Sequence, residues 1–260
     1  MPLQKYRSLF YLTLVQEIKN YKVLVGLGIF LVTCLVIFSH LWKVAAVKGS
    51  STFDPVLLLW YIAFNEWVLI AVPELHREMQ EDLQTGRLAY MLPRPISYLG
   101  ATFSKGLATL ILQLVVLGVI AFLFTFAWTG AFPFSAVQFA LMLAIGLLAG
   151  IVGLVLQMLI GLSSFWIHDV TPVNWVWEKF LFIFGGLLLP LSAYPVWLEK
   201  LAAYTPYAPI LGARSALVFG CDMSLVLSIV GALFFWLMIG VVALQIMYKR
   251  GLKILNIHGG

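Results

Sequence analysis

Long apolar runs separated by short polar segments organise this chain. A helix needs about 20 apolar residues to cross a hydrocarbon core of about 30 Å. Residues 23–42 contain no Asp, Glu, Lys or Arg and form the first such run. Residues 55–73 form the second, interrupted only by Asn65 and Glu66. Between positions 105 and 168 there is no charged side chain at all, enough for two spans and a short turn. Thr129, Gly130, Ala131, Phe132 and Pro133 mark that turn, which predicts spans at 106–128 and 136–163. A fifth run, 179–194, is short and carries Gly185, Gly186 and Pro190; the sixth, 223–248, is long and clean. Residues 1–20 precede the first span. In them Leu3, Tyr6, Phe10 and Leu14 recur at helical spacing against polar Gln4, Lys5, Arg7 and Ser8. That pattern predicts an amphipathic helix lying in the membrane interface, the alternative being a plain extension of the first span. The apolar run begins too late for a cleaved signal, and no convincing cleavage site follows it. The expectation is a single all-α membrane domain over residues 1–260 with six transmembrane helices.

Composition sharpens this picture. Of 260 residues, 62% are hydrophobic and only 10% are charged, and the mean hydropathy is +1.01. Too few charged groups exist to cover a water-soluble globule, and the same figures exclude disorder, a coiled coil and a disulfide scaffold. Cys34 and Cys221 are far apart, which suggests neither a metal site nor a disulfide framework. The charges then orient the spans, because cytoplasmic loops carry the excess of Lys and Arg. With the N-terminus inside, twelve basic residues fall inside, and four, Lys43, Lys48, Lys200 and Arg214, fall outside. Both termini are therefore expected in the cytoplasm. The net charge of +5 reads as an orientation signal rather than as affinity for nucleic acid.

Enzymatic chemistry finds no constellation in the sequence. His40, His76, His168 and His258 are scattered, and none forms the H-E-x-x-H zinc pattern. Neither a G-x-S-x-G elbow nor a G-x-x-x-x-G-K-[ST] phosphate loop occurs. The chain is not expected to be an enzyme, and any ATP-driven work needs another chain. One acid, Glu66, stands inside a predicted span beside Asn65. Placing a charge there costs roughly 2.5 kcal/mol or more, so this pair is the intramembrane polar candidate. Glu66 is either functional or simply protonated or hydrogen-bonded in a helix–helix contact.

Residues 73–96 (PELHREMQEDLQTGRLAYMLPRPI) are the most informative segment. Four of the eleven acids, Glu74, Glu78, Glu81 and Asp82, lie within nine residues. Residues 74–85 can extend the second helix into the cytoplasm, with Leu75, Met79 and Leu83 on one face and the acids flanking it. Gly86 suits a C-terminal cap, and Pro93 and Pro95 stop a second amphipathic turn. Anionic lipid would repel this acidic helix, so it reads as a docking element for a cytoplasmic partner or as a solvated loop.

Asp82, Gly86, Leu88, Met91, Leu92, Pro93, Arg94, Pro95, Ile96 and Ser97 stand at the spacing of a motif that follows the second span in ABC-2 type transporter permeases. The segment resembles that motif, with Asp82 as the acid four residues before the glycine. Residues 186–198 (GLLLPLSAYPVWL) and 204–209 (YTPYAP) resemble the same family's fifth-span region. Residues 248–253 (YKRGLK) resemble its C-terminal end.

The resemblance implies an integral membrane permease that pairs with a second copy or a paralogue. It also implies two separate cytoplasmic ABC ATPase subunits, which bind ATP and magnesium while this chain holds no cofactor. The helix after span two would couple the ATPase to the membrane domain through Glu74, Glu78, Met79, Glu81, Asp82, Leu83, Gly86, Arg87 and Leu88. The broken fifth span would form a re-entrant external hairpin or gate through Pro190, Tyr194, Pro195, Trp197, Thr205 and Pro206. Tyr194-Pro195 and Thr205-Pro206 cannot continue a regular helix, and irregular backbone at membrane depth must be covered by protein. An ordinary extracellular loop with interfacial Trp197 and Tyr207 is the alternative. The implied function is ATP-driven export of a hydrophobic or amphipathic substrate (a drug, lipid or glycolipid) across a bacterial-type cytoplasmic membrane. Two other functions stand beside it: an ion- or proton-coupled carrier using Glu66, and a non-transporting membrane scaffold.

Overall fold

The computed structural model describes residues 2–47, 53–93 and 95–258, without the side chains of residues 2, 3, 45–47 and 255–258. Lys48 and Arg94, and the side chains of Leu3 and His258, used above, lie outside that set. The described residues are mostly helical, with no strand among them. The order is α1 (Pro2–Lys19), α2 (Tyr21–Val47), α3 (Pro55–Ala71), α4 (Leu75–Gln84), α5 (Arg87–Met91) and α6 (Tyr98–Thr129). There follow α7 (Ala136–Leu162), α8 (Thr171–Phe184), α9 (Val196–Ala203), α10 (Tyr207–Ile210), α11 (Gly212–Ser215) and α12 (Met223–His258). Among the described residues, five segments are long and apolar enough to cross a membrane: Tyr21–Val44, Pro55–Gln84, Tyr98–Thr129, Ala136–Phe165 and Met223–Ile254. They contain the spans expected at 23–42, 55–73, 106–128, 136–163 and 223–248.

Helix α3 is the axis of the bundle. Asp54 caps it, accepting the Val56 N–H at 2.8 Å, and Pro55 occupies the first turn, where its missing N–H matters least. Every residue from 58 to 68 is buried. Its aromatic side meets α6 and α7: Phe64 lies 5.0 Å from Phe122, and Trp67 lies 5.3 Å from Phe122, between ring centroids. The Trp67 indole N–H donates to the Leu114 carbonyl at 2.7 Å. Gly118 and Gly146 make room for that indole, since a Cβ at 146 would sit 2.5 Å from the ring. The glycines of α7 thus serve packing inside this chain. Among the phenylalanines of α6, Phe122 is half-buried against the core, whereas Phe126 is exposed. The remaining helices surround this axis, with α1 against α6, α4 and α12 against α7, and α2 against α3 and α6. Large apolar side chains such as Ile29, Val115, Phe235 and Met238 are left exposed, as lipid-facing positions require.

Two expectations change. The second span does not run on into residues 74–85. Val72 is extended and Pro73 follows it, so the backbone breaks before α4 starts a separate helix. The fifth run is also not a helix over 179–194. Helix α8 begins earlier, at Thr171, and stops at Phe184. Its 14 residues reach about 21 Å, short of a full span. Gly186, at φ +64°, turns the chain, and short helices α9 to α11 complete the segment. The lead-in α1 is helical, with Tyr6, Phe10 and Leu14 half-buried. The Tyr6 hydroxyl accepts the Ser97 N–H at 3.0 Å, which anchors α1 to the start of α6. Tyr11, Leu12, Val15 and Ile18 remain exposed on its other side.

Candidate functional site

A cleft of about 720 Å³ opens between α1, α2, α3 and α8. Its apolar wall comes from residues such as Leu27, Phe30 and Phe38 of α2, Leu69 of α3, and Trp177 and Phe182 of α8. Its polar groups are Glu17, Asn20, Glu66, Glu74, Thr109, Gln113, Gln157 and Glu178. Glu66 is only 4% exposed, and its carboxyl makes no hydrogen bond or ion pair among the described residues. Its sequence neighbour Asn65 is turned elsewhere: the Asn65 amide donates to the Gly186 and Leu187 carbonyls. The two members of the intramembrane candidate pair therefore separate. Asn65 is occupied by structure, and Glu66 faces the cleft.

A chain of side chains, buried at His76, Gln157 and Asn174 and half-buried at Glu178, leads from α4 to this cleft. Asn174 of α8 donates from Nδ2 to Glu178 Oε1 at 2.7 Å. That leaves Asn174 Oδ1 to accept Gln157 Nε2 at 3.1 Å. Gln157 Oε1 in turn faces His76 Nδ1 at 2.8 Å, so the imidazole carries its proton on Nδ1 for this contact. A carboxylate can only accept, so Glu178 fixes the direction of all three bonds. The chain ties α4 through α7 to α8. Neither Gln157 nor Asn174 belongs to a motif, and only the fold brings positions 76, 157, 174 and 178 together.

Helix α4 is seated by its apolar face. Met79 is fully buried against Gly161 of α7, where a Cβ would lie 2.7 Å from the Met79 sulfur. Leu75 is also buried, and Leu83 is half-buried. That face is thus used inside the chain and is not free for a partner. The acids divide in the same way. Glu78 pairs with Lys105 of α6 at 2.7 Å, and exposed Glu74 pairs with Arg77 at 2.7 Å. Asp82 is not on a solvent-facing flank: it is buried, accepting Arg87 Nη1 at 3.0 Å and the Tyr98 hydroxyl at 3.2 Å. Glu81 alone of the four is exposed with no ion pair among the described residues. Gly86, at φ +70°, reverses the chain so that α5 lays buried Leu88 beneath exposed Ala89 and Tyr90. Two further bonds attach α4 to the 166–170 connector: Gln84 Nε2 donates to the His168 carbonyl at 2.6 Å, and Gln80 Oε1 accepts the Val170 N–H at 2.8 Å.

The segment from 185 to 215 is held by α3. The Tyr61 hydroxyl donates to the Gly186 carbonyl, joining the two Asn65 bonds. Pro190 is buried, Tyr194 donates to the Ile183 carbonyl at 2.8 Å, and Thr205 donates to the Ala202 carbonyl at 2.6 Å. Pro206 is half-buried, while Pro195 and Trp197 are exposed on the outside of this folded segment. Arg214, counted above as an outside-loop charge, is instead fully buried. Its guanidinium donates to the Phe64 carbonyl at 2.6 Å and the Ile210 carbonyl at 3.2 Å. Nothing in the local pattern announces this, because a lone basic residue near a glycine and a serine reads as loop.

No protein-family model matches the chain, and no curated protein matches it. What the fold itself defines is an all-α, multi-pass membrane protein with a polar-floored cleft among its helices.

Proposed function

We propose that this chain is the permease subunit of an ATP-driven ABC-2 type exporter. In this reading α2, α3, α6, α7 and α12 cross the membrane, and α8 with the 185–215 segment makes the broken fifth of six crossings, its hairpin facing outside. Both termini and α4 lie in the cytoplasm of a bacterial-type cell. Two such permeases, identical or paralogous, work with two ATPase subunits that bind ATP and magnesium. The observation that carries the reading is the chain from His76 through Gln157 and Asn174 to Glu178. It gives a surface helix a rigid polar connection to the wall of an intramembrane cleft. A partner that shifts α4 would move α8 with it, and the cleft would change shape. The cleft's largely apolar wall supports a hydrophobic or amphipathic cargo.

Co-expression with a P-loop ATPase encoded beside the gene tests this reading. The expected result is a stable complex and ATP-dependent transport in proteoliposomes. A chain that purifies alone and transports on an ion gradient would sink it. That outcome would favour the second reading, a proton- or ion-coupled carrier, for which the unpartnered Glu66 is the supporting observation. Loss of gradient-driven transport in Glu66→Gln, with no ATPase present, would then establish the carrier.

A further inference from the structure

We propose that the cleft binds a lipophilic organic cation: a positively charged, N–H-bearing nitrogen group on an apolar, partly aromatic body. The inference rests on reading the cleft as a transport site, and it names the cargo's chemistry. Four carboxyl groups line the cleft from four directions: Glu17 on α1, Glu66 on α3, Glu74 at the α3–α4 break and Glu178 on α8. Among the described residues, no Lys or Arg lines it. Arg77 offsets one of the four, through its bond to Glu74. Glu17 is met only by the Thr109 hydroxyl at 3.4 Å, and Glu178 by the Asn174 amide. Neither contact supplies positive charge.

Two deep groups lack partners. Glu66 is 4% exposed and unpaired among the described residues. Gln113, 7% exposed, has its side-chain carbonyl oxygen buried without a hydrogen-bond partner. Both are acceptors, and both line the same cavity. A buried acceptor left unmet costs free energy, and a buried carboxylate costs more unless a cation compensates it. A cationic N–H group supplies both needs at once, with its charge for Glu66 and its N–H for Gln113. Phe30, Phe38, Trp177 and Phe182 then surround the body, and aromatic faces also favour a cation. The volume, about 720 Å³, is that of a small-molecule site. An anionic lipid or a phosphate ester is disfavoured by the same carboxyl groups.

The test uses the purified full chain in nanodiscs, without ATPase or nucleotide, and three xanthene dyes of similar size. Rhodamine 6G is cationic, rhodamine B is zwitterionic and fluorescein ethyl ester is anionic. Fluorescence polarisation should show rhodamine 6G bound at least about tenfold more tightly than the other two. Glu66→Gln should weaken rhodamine 6G by about tenfold or more, and Gln113→Leu by a few fold, while Glu199→Gln, exposed on α9 and outside the cleft, leaves it unchanged. If Glu66→Gln does not give a monodisperse protein, Glu66→Asp and Gln113→Leu carry the comparison. Equal binding of the three dyes, or undiminished rhodamine 6G binding in the cleft variants, overturns the proposal. Displacement of the dye by phosphatidylethanolamine at ordinary lipid ratios also overturns it, reassigning the cleft to a zwitterionic lipid. Because binding is read without nucleotide, failure of ATP-driven transport with dye selectivity intact refutes the exporter reading alone.

Discussion

The side-chain amide of Asn65 donates to the backbone carbonyl of Leu187 at 3.2 Å, across 122 positions of sequence. It also reaches the Gly186 carbonyl at 3.3 Å, where the Tyr61 hydroxyl donates too. A chain leaving helical geometry inside an apolar bundle exposes carbonyl groups that have no helical partner. Helix α3 supplies the missing donors. The broken segment after α8 is therefore a built feature of the core, and its irregular backbone is satisfied by two side chains one helical turn apart.

Asn65→Leu should leave the carbonyls of Gly186 and Leu187 without those donors. The expected loss of stability is about 1–2 kcal/mol, in the upper range for hydrogen bonds within membrane bundles. Hydrogen exchange at residues 185–190 should rise locally before global unfolding. Unchanged exchange there would mean that Tyr61 alone holds the turn, and Tyr61→Phe with Asn65→Leu would then show the effect.

Gly161 decides whether α4 can seat. A side chain there meets Met79 and the backbone of His76, where a Cβ would approach the His76 Cα to 3.2 Å. Gly161→Leu should lift α4 from α7, at a cost of about 1–3 kcal/mol for overpacking. A cysteine introduced at position 79, unreactive in the parent because the site is fully buried, should then label with a water-soluble maleimide. Persistent protection of that cysteine would contradict the packing described.

Gln157 is the middle of the chain between α4 and α8. Gln157→Leu removes the partner of His76 and of Asn174 together, and about 1–3 kcal/mol of stability should go with the unsatisfied groups. In the proposed exporter the ATPase should still bind and hydrolyse ATP, while transport per ATP falls. Equal transport per ATP in Gln157→Leu and the parent would remove this chain as the coupling route.

The acids of α4 should separate by experiment. Glu81→Lys reverses an exposed, unpaired charge and should weaken ATPase capture while leaving the fold intact. Asp82→Leu strands the buried Tyr98 hydroxyl, while water can replace the partner of exposed Arg87, and should cost about 1–3 kcal/mol of stability. Thermal unfolding together with pull-down distinguishes the two. If Asp82→Leu is as stable as the parent, the buried pairing does not matter to the fold. Unchanged ATPase capture in Glu81→Lys would remove α4's exposed edge from the docking surface.

Much of the architecture was legible in the apolar periodicity. A run of about 20 apolar residues has one stable solution in a bilayer, a helix with its backbone bonds closed internally. Spans near 23–42, 55–73, 106–128, 136–163 and 223–248 followed from that constraint alone. The fifth was misplaced because a glycine pair and a proline announce a break without saying which flanking residues remain helical. Thr171 and Pro172 open α8 with the usual start signals, and their meaning became plain only once the chain was seen to turn at Gly186.

The sequence by itself determined that this chain belongs in a membrane, where its long helices fall, and that an acidic amphipathic segment follows the second of them. Those properties depend on composition and periodicity within one continuous stretch of about 20 residues. The tertiary structure alone decided which polar residues do structural service and which are left over. Asn65 and Glu66 are adjacent, yet one closes the backbone of a broken helix and the other faces a cleft unpaired. Asp82 and Glu81 are adjacent, yet one is buried on Tyr98 and the other is exposed. Consecutive residues on a helix point about 100° apart, so the packing of distant helices assigns each its partner.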